Sequence, residues 1–267
     1  MDTRDEGRRV ERKTDRVLTL DQLRWAGLGQ GSSVLDLGCA AGTTCRIMAA
    51  MVGNAGRVVG VDNSECRLAE GRKHADHRSE IEYRHGDAAQ IPAADNEFDL
   101  TWSRFLFEYL PSPETALAEM IRVTKPTGTV CVSDIDGNCI WHHPCDPGLR
   151  TEIDAALRVI AGGFSPRIGL SLFAMLVDGG LRDVAVDIRP YHVIAGSIDS
   201  ERAEQWQMKL DGVAATLRAR GWLPSRAAAL SEAFMAHLHD PRTLTYSVLI
   251  SVRGTVPIPC SAGTNGQ

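Results

Sequence analysis

The chain has 267 residues, 43% of them hydrophobic and 24% charged, with a formal net charge of −5. That composition supports a buried core and argues against disorder, and the acidic balance argues against a binder of long nucleic acid, which would carry a basic face. Seven cysteines without a CxxC pair fit neither a disulfide framework nor a zinc site, no apolar run reaches the ~20 residues of a membrane helix, and the charged start lacks a signal peptide's apolar stretch; a reducing, cytoplasmic setting is expected.

Arginine, lysine, aspartate and glutamate alternate through the first sixteen residues, so residues 1–33 are expected to form a solvated, partly helical arm. Val34–Leu37 reads as a strand, followed by a small-residue turn and an apolar helix through Met51 that Gly53 and Gly56 close. Arg57–Val61, Ile81–His85 and Phe98–Trp102 are further strands, with a helix starting at Ser64 between the first two. Ser112-Pro113-Glu114 opens another helix, with a capping serine and a first-turn proline. Lys125-Pro126-Thr127-Gly128 reads as a turn before a strand at Thr129–Ser133. Strands and helices alternating at this spacing predict a parallel sheet covered on both faces.

Beyond residue 135 the pattern changes. Apolar residues at helical spacing mark helices through Ile153–Ile160 and Leu170–Val177, each closed by a glycine pair. Val184–Ile194 is a strand interrupted by Pro190, residues 200–220 and 225–239 are two helices, and Thr243–Val252 is a last strand. One domain is therefore expected over 34–253, with helical cap elements at about 149–180 and 198–240 and a disordered tail over 254–267.

The most informative segment is Val34-Leu35-Asp36-Leu37-Gly38-Cys39-Ala40-Ala41-Gly42. A strand ends in an acidic residue and passes through a turn of small side chains, where a ligand can approach the backbone, at the carboxyl end where open α/β sheets bind ligands. The dinucleotide fingerprint GxGxxG would fall on Gly38, Ala40 and Thr43, so two of its three glycines are absent. Asp36 beside the turn would repel a phosphate and suits a cationic ligand. Asp62 ends the second strand about 20 residues beyond the turn, where a carboxylate can accept from ribose hydroxyls, and Asp87 ends the third.

This layout, carried by VLDLGCAAG (34–42), VVGVDNS (58–64), GDAAQIPAADNEFDLTWSRFLFEYL (86–110) and MIRVTKPTGTVCVSD (120–134), resembles the class I S-adenosylmethionine-dependent methyltransferases. Within them it is most similar to the branch of ubiquinone-biosynthesis and natural-product small-molecule enzymes. The resemblance implies a Rossmann-like, seven-stranded, mostly parallel sheet with helices on both faces and a helical cap inserted late in the chain. It implies S-adenosylmethionine as cofactor, with S-adenosylhomocysteine as product. Gly38, Cys39, Ala40 and Gly42 would pack on its methionine part and Asp36 would face its ammonium. Asp62 would hold the ribose, Asn63 would lie on the adenine, and Asp87 with the Ala88 amide would take the adenine edge. Ser103 and Arg104 would line the methionine and sulfonium end. Glycine is usual in the family where Ala40 stands.

In-line methyl transfer asks the protein to align the reactants and exclude water; a base matters only where the acceptor must lose a proton. The candidates for one are Asp134, His142 and His143, since histidine titrates near neutrality. Adjacent histidines with no third ligand do not make a metal site. Phe107, Tyr109, Tyr191 and Trp206 are candidate substrate contacts. The expected function is methylation of a small molecule, a secondary metabolite in the sense of that branch, with an enzyme of the same fold that binds the cofactor but catalyses a cyclisation or another non-methylating reaction as the alternative. Nucleic-acid methylation is disfavoured by charge, a nicotinamide enzyme by Ala40 and Thr43, and a non-catalytic module by the intact acidic strand ends. No nucleic-acid or membrane partner is expected; a homo-oligomer stays open.

Overall fold

The computed structural model describes residues 15–75, 80–161 and 163–258; most of the charged arm and residues 259–267 of the expected tail lie outside them. Seven strands form one sheet in the order β3-β2-β1-β4-β5-β7-β6. β1 (Ser33–Leu37), β2 (Arg57–Asp62), β3 (Ile81–His85), β4 (Phe98–Arg104) and β5 (Thr124–His143) run parallel, and β7 (Leu244–Thr255) lies antiparallel between β5 and β6 (Arg182–Ala195). The chain steps outward from β1 to β2 and β3, then returns to place β4 on the other side of β1. The crevice between the carboxyl ends of β1 and β4 is thus the switch point where such sheets take ligands.

Alternate side chains of the central strands enter two cores. Leu35, Leu37, Val59 and Val61 meet α4 (Pro113–Val123) and α6 (Ile168–Asp178) through Met120, Leu172 and Leu176. Val34, Val58, Leu100 and Trp102 meet α1 (Arg16–Trp25), α2 (Thr43–Val52) and α3 (Glu65–Lys73) through Leu23, Met48 and Leu68. Burying a large apolar side chain contributes ~1.5–3 kcal/mol, which is why continuous runs such as Arg57–Asp62 form strands covered on both faces.

A third core lies above the sheet. α5 (Pro147–Ile160), α7 (Ser200–Ala219) and α8 (Pro224–His239) enclose Ile153, Ile194, Trp206, Leu210, Leu217 and Phe234. Asp199 caps α7 by accepting from the Arg202 amide at 2.9 Å, and Pro224 opens α8 at its first turn.

Three expectations need correction. Residues 149–180 do not form one cap element: α5 joins the cap core, whereas Leu172 and Leu176 of α6 are buried on the sheet. β5 does not stop at Ser133. The Lys125–Gly128 turn is an irregularity within it, between the pairs Phe98–Thr124 and Leu100–Thr129, and the strand resumes after a break at Asp136 to pair Trp141, His142 and His143 with Tyr246, Thr245 and Leu244. The tail does not begin at Gly254, because Gly254 and Thr255 pair with Val130 and Thr129, and Val256 is buried. Among the described residues, no helix is long and apolar enough to cross a membrane.

Candidate active site

The turn after β1 is held from within. The amides of Gly38 and Cys39 both donate to the Val61 carbonyl, at 2.8 and 3.1 Å, and that of Gly42 donates to the Cys39 carbonyl at 2.9 Å. The Ala40 amide donates to Asp62 Oδ2 at 2.9 Å. With these four donors satisfied, the turn is not the nest of free amides that a pyrophosphate needs. Gly42 has φ 73°, and a Cβ there would lie 1.9 Å from the Tyr83 hydroxyl, so only glycine fits. Ala40 occupies the same left-handed region at φ 48°, a strained place for an L side chain.

Asp36 is 3% exposed and accepts from the Cys45 thiol at 3.2 Å. Burial pushes its carboxyl up to about 6, against the opposing pull of that thiol and of Arg104. Asp62, also buried, accepts from the Ser64 amide at 2.9 Å through its other oxygen. Asn63 and Asp87 are exposed beside it, Asp87 accepting from the Ala89 amide at 2.8 Å, and Ala88 packs against the sheet core. Ser103 at the end of β4 donates to the Leu37 carbonyl at 3.1 Å, which ties β4 to β1.

Arg104 adds a positive charge beside β1, as Arg67 does at Asp62, where the Arg67 Nε lies 3.6 Å from Oδ1. The Arg104 guanidinium donates to Thr19 Oγ1 at 2.7 Å and to Gln22 Oε1 at 3.4 Å, both on α1, and lies 5.1 Å from the centre of the Phe105 ring. Among the described residues no carboxylate forms an ion pair with it. Gln22 in turn donates to Ser251 on β7, whose hydroxyl also meets Ser133 on β5. Thr19 and Gln22 escaped the sequence reading. Their signal is that two polar residues share the buried face of a short helix with Leu23, where apolar residues belong.

The candidate bases are placed otherwise than expected. Asp134 is fully buried; its oxygens accept from the amides of Glu108 and Ile135, and burial pushes the carboxyl up to about 7. It braces the 3-10 turn at Phe107–Tyr109 instead of facing the crevice. His142 lies in the cap, with Nδ1 2.9 Å from Thr245 Oγ1 and its ring edge-on to Phe234 and His237. Burial lowers its pKa to about 3, so it stays neutral. His143 is exposed. Phe107 is fully buried in the sheet core, which removes it from the substrate contacts. Tyr109 is exposed with its ring on Phe164, and Trp206 is buried in the cap. Only Tyr191 approaches the crevice, with its ring 5.7 Å from that of Phe105.

Comparison with known proteins shows what this half is similar to. Residues 35–132 match the model of a methyltransferase domain. Over that stretch the chain is similar to methyltransferase domains. Over 111 residues the chain is 39% identical to a 2-phytyl-1,4-naphtoquinone methyltransferase of Thermosynechococcus vestitus, a match covering 41% of this chain and 49% of that one. The chain thus spans about half the length of that curated relative. Among solved structures, a SAM-dependent methyltransferase from Aquifex aeolicus superposes with a TM-score of 0.51 at 22% identity, over 72% of this chain and 91% of that one. The [4+2]-cyclase SpnF does so with a TM-score of 0.56 at 20% identity, over 91% and 82%. At these identities the structures share the fold with this chain. The methyltransferase domain ends within β5, so the cap and the antiparallel strands lie outside it.

The donor set of the crevice fits a ligand of mixed charge. A buried carboxylate and an arginine without a carboxylate partner among the described residues flank a turn whose own amides are engaged. That combination suits a ligand carrying both an ammonium and a carboxylate, and disfavours a phosphate.

Proposed function

We propose that this chain is a methyltransferase that moves the sulfonium methyl of S-adenosylmethionine to a small-molecule acceptor by in-line displacement. The observation that carries this reading is the nearness of Asp36 to Arg104 beside a turn in which the amides of Gly38, Cys39, Ala40 and Gly42 are already engaged. Asp36 would take the ammonium of the methionine part, and Arg104 its carboxylate. Asp62 would hold the ribose: a carboxylate has about four lone-pair positions, of which backbone amides take two here. Asn63, Asp87 and the Ala88 amide would take the adenine.

The bound cofactor supplies an activated methyl whose bond to sulfur breaks as the bond to the acceptor forms, the sulfur keeping the electron pair. The protein's part is alignment and the exclusion of water, which together can supply ~7–11 kcal/mol of barrier reduction. Ser103 fixes β4 against β1, Asp134 fixes the turn after β4, and α1 with Thr19 and Gln22 covers Arg104. Asp134 and His142, both engaged elsewhere, are not proposed as bases.

Calorimetric titration tests the reading. S-adenosylmethionine and S-adenosylhomocysteine should both bind with saturable heat; no heat up to about 1 mM, a weak-binding limit near 4 kcal/mol, would sink it. Incubation with a methyl-labelled donor then separates transfer from cyclisation, because only transfer leaves label in the product.

A further inference from the structure

Arg104 stands at one corner of a buried polar circuit. Its guanidinium donates to Gln22 on α1, Gln22 donates to Ser251 on β7, Ser133 on β5 donates to the same Ser251, and Ser133 is the register partner of Arg104 in the sheet. Gln22, Ser133 and Ser251 are fully buried. We infer that Gln22 is a positioning residue, oriented by Ser251, which aims the Arg104 guanidinium at the carboxylate of the cofactor's amino-acid end without cancelling its charge. This rests on the methyltransferase reading and on the role that reading gives Arg104.

The orientation of each acceptor is set by its neighbour. A glutamine amide carries its donors on nitrogen and its lone pairs on oxygen. Gln22 Nε2 donates to Ser251 Oγ at 3.0 Å, so Oε1 is the atom turned to Arg104, 3.4 Å away. The reverse orientation would set N–H groups against a cation. Thr19 is fixed in the same sense. Its hydroxyl donates to the Asp15 carbonyl at 2.7 Å, and its oxygen accepts from Arg104 at 2.7 Å.

Both acceptors are neutral. A carboxylate in either place would pair with the guanidinium and compete with a carboxylate brought by a ligand. An amide oxygen and a hydroxyl oxygen hold the group in place and leave its charge intact. Both bonds also come from one nitrogen, Nη1, so neither draws on the Nε and Nη2 donors of the fork.

The elements that set this aim lie outside the stretch similar to methyltransferase domains. Residues 35–132 include Arg104, whereas α1 precedes them and β7 follows them. α1 is tied to β7 a second time through Arg253, which donates to the Trp25 carbonyl and lies 5.0 Å from the centre of the Trp25 ring. The nucleoside end of the cofactor is read within residues 35–132, and the amino-acid end is read by an arginine that two other elements steer.

The full chain and its variants are titrated calorimetrically with S-adenosylhomocysteine and with 5′-methylthioadenosine, which keeps the nucleoside and the sulfur but lacks the amino-acid end. Gln22→Glu is nearly isosteric and keeps an oxygen beside Arg104. It should weaken S-adenosylhomocysteine by about tenfold or more and leave 5′-methylthioadenosine within about twofold. A merely structural glutamine predicts otherwise, since an ion-paired glutamate would serve both ligands equally. Gln22→Met, which removes the acceptor and the donor together, should act in the same direction by about fivefold. In an Arg104→Leu background neither change should weaken S-adenosylhomocysteine further by more than about twofold, because Gln22 acts through Arg104. Equal loss of both ligands, unchanged S-adenosylhomocysteine binding in Gln22→Glu, or additive losses in the Arg104→Leu background would overturn the inference and leave the methyltransferase reading standing. A wild-type chain that binds neither ligand overturns both.

Discussion

The two halves of the molecule handle polar groups in opposite ways. In the cofactor half, acidic residues end three successive strands, and Asp62 and Asp87 accept from neighbouring amides while Asp36 takes a thiol. In the cap, the buried polar groups are His142, His237 and Thr245, set among apolar helices, and His142 Nε2 has no hydrogen-bond partner. The first half is built around local turns that a sequence can display. The second is a separate core raised on the extended ends of β5, β7 and β6, held by contacts distant in the chain.

That contrast can be broken experimentally, and the largest effect is expected in the cap. Leu217 is fully buried there, so Leu217→Ala should cost ~2–5 kcal/mol in denaturant unfolding, while S-adenosylmethionine affinity in the folded fraction stays within about twofold. A large loss of affinity would mean that the halves are one unit. Asp62→Ala removes the acceptor for the Ala40 amide as well as the proposed ribose contact. It should weaken cofactor binding by about a hundredfold and stability by ~1–3 kcal/mol, read by calorimetry and melting. Arg104→Leu should weaken cofactor binding by roughly ten- to a hundredfold, with Arg104→Lys intermediate because a point charge replaces a planar fork; an unchanged affinity would remove Arg104 from the site.

The pH dependence of the halves should differ in sign. Asp36 is raised to about 6 when folded, so the folded state holds its proton more tightly than the unfolded chain. Its stabilising contribution in the ligand-free protein is present below the ordinary carboxylate range and is lost as pH rises through about 6. Cofactor binding, which needs the charged carboxylate, should instead weaken as pH falls below about 6. His142, lowered to about 3, works the other way: the stability it gives the cap is present above the ordinary histidine range and is lost as pH falls toward 3. His142→Gln should flatten the acid side of the melting profile and Asp36→Asn should not; the reverse result would exchange the two assignments. The smallest effect is expected from Ala40→Gly. Relief of the left-handed alanine and the added freedom of the unfolded chain nearly offset each other, leaving less than about 1 kcal/mol.

Much of the cofactor half was legible because its signals are local. β1 to β3 sit where acidic residues follow their strands, β4 is marked by its own apolar run, and the turn at 38–42 announces itself by small side chains. β5 beyond Ser133 was not legible, because Asp134, Asp136, Gly137 and Asn138 are turn-forming residues and only pairing with β7 on either side of the break at Asp136, more than a hundred residues later, carries the strand past them. Gly254 and Thr255 misled in the same way. His142 looked like a loop base because its sequence neighbours are polar; its real surroundings, Phe234 and His237, come from α8. Thr19 and Gln22 matter only because α1 folds over Arg104.

That helix carries a further consequence. Gln22 and Ser251, joined by a hydrogen bond, stand 229 positions apart, and Trp25 and Arg253 stand 228 apart. During synthesis, α1 leaves the ribosome long before the strand that holds it. The cover over Arg104 therefore cannot close until β7 has been made and lies between β5 and β6. A nascent or truncated chain that stops short of Ser251 keeps the acidic strand ends and the turn, yet leaves the guanidinium open to water.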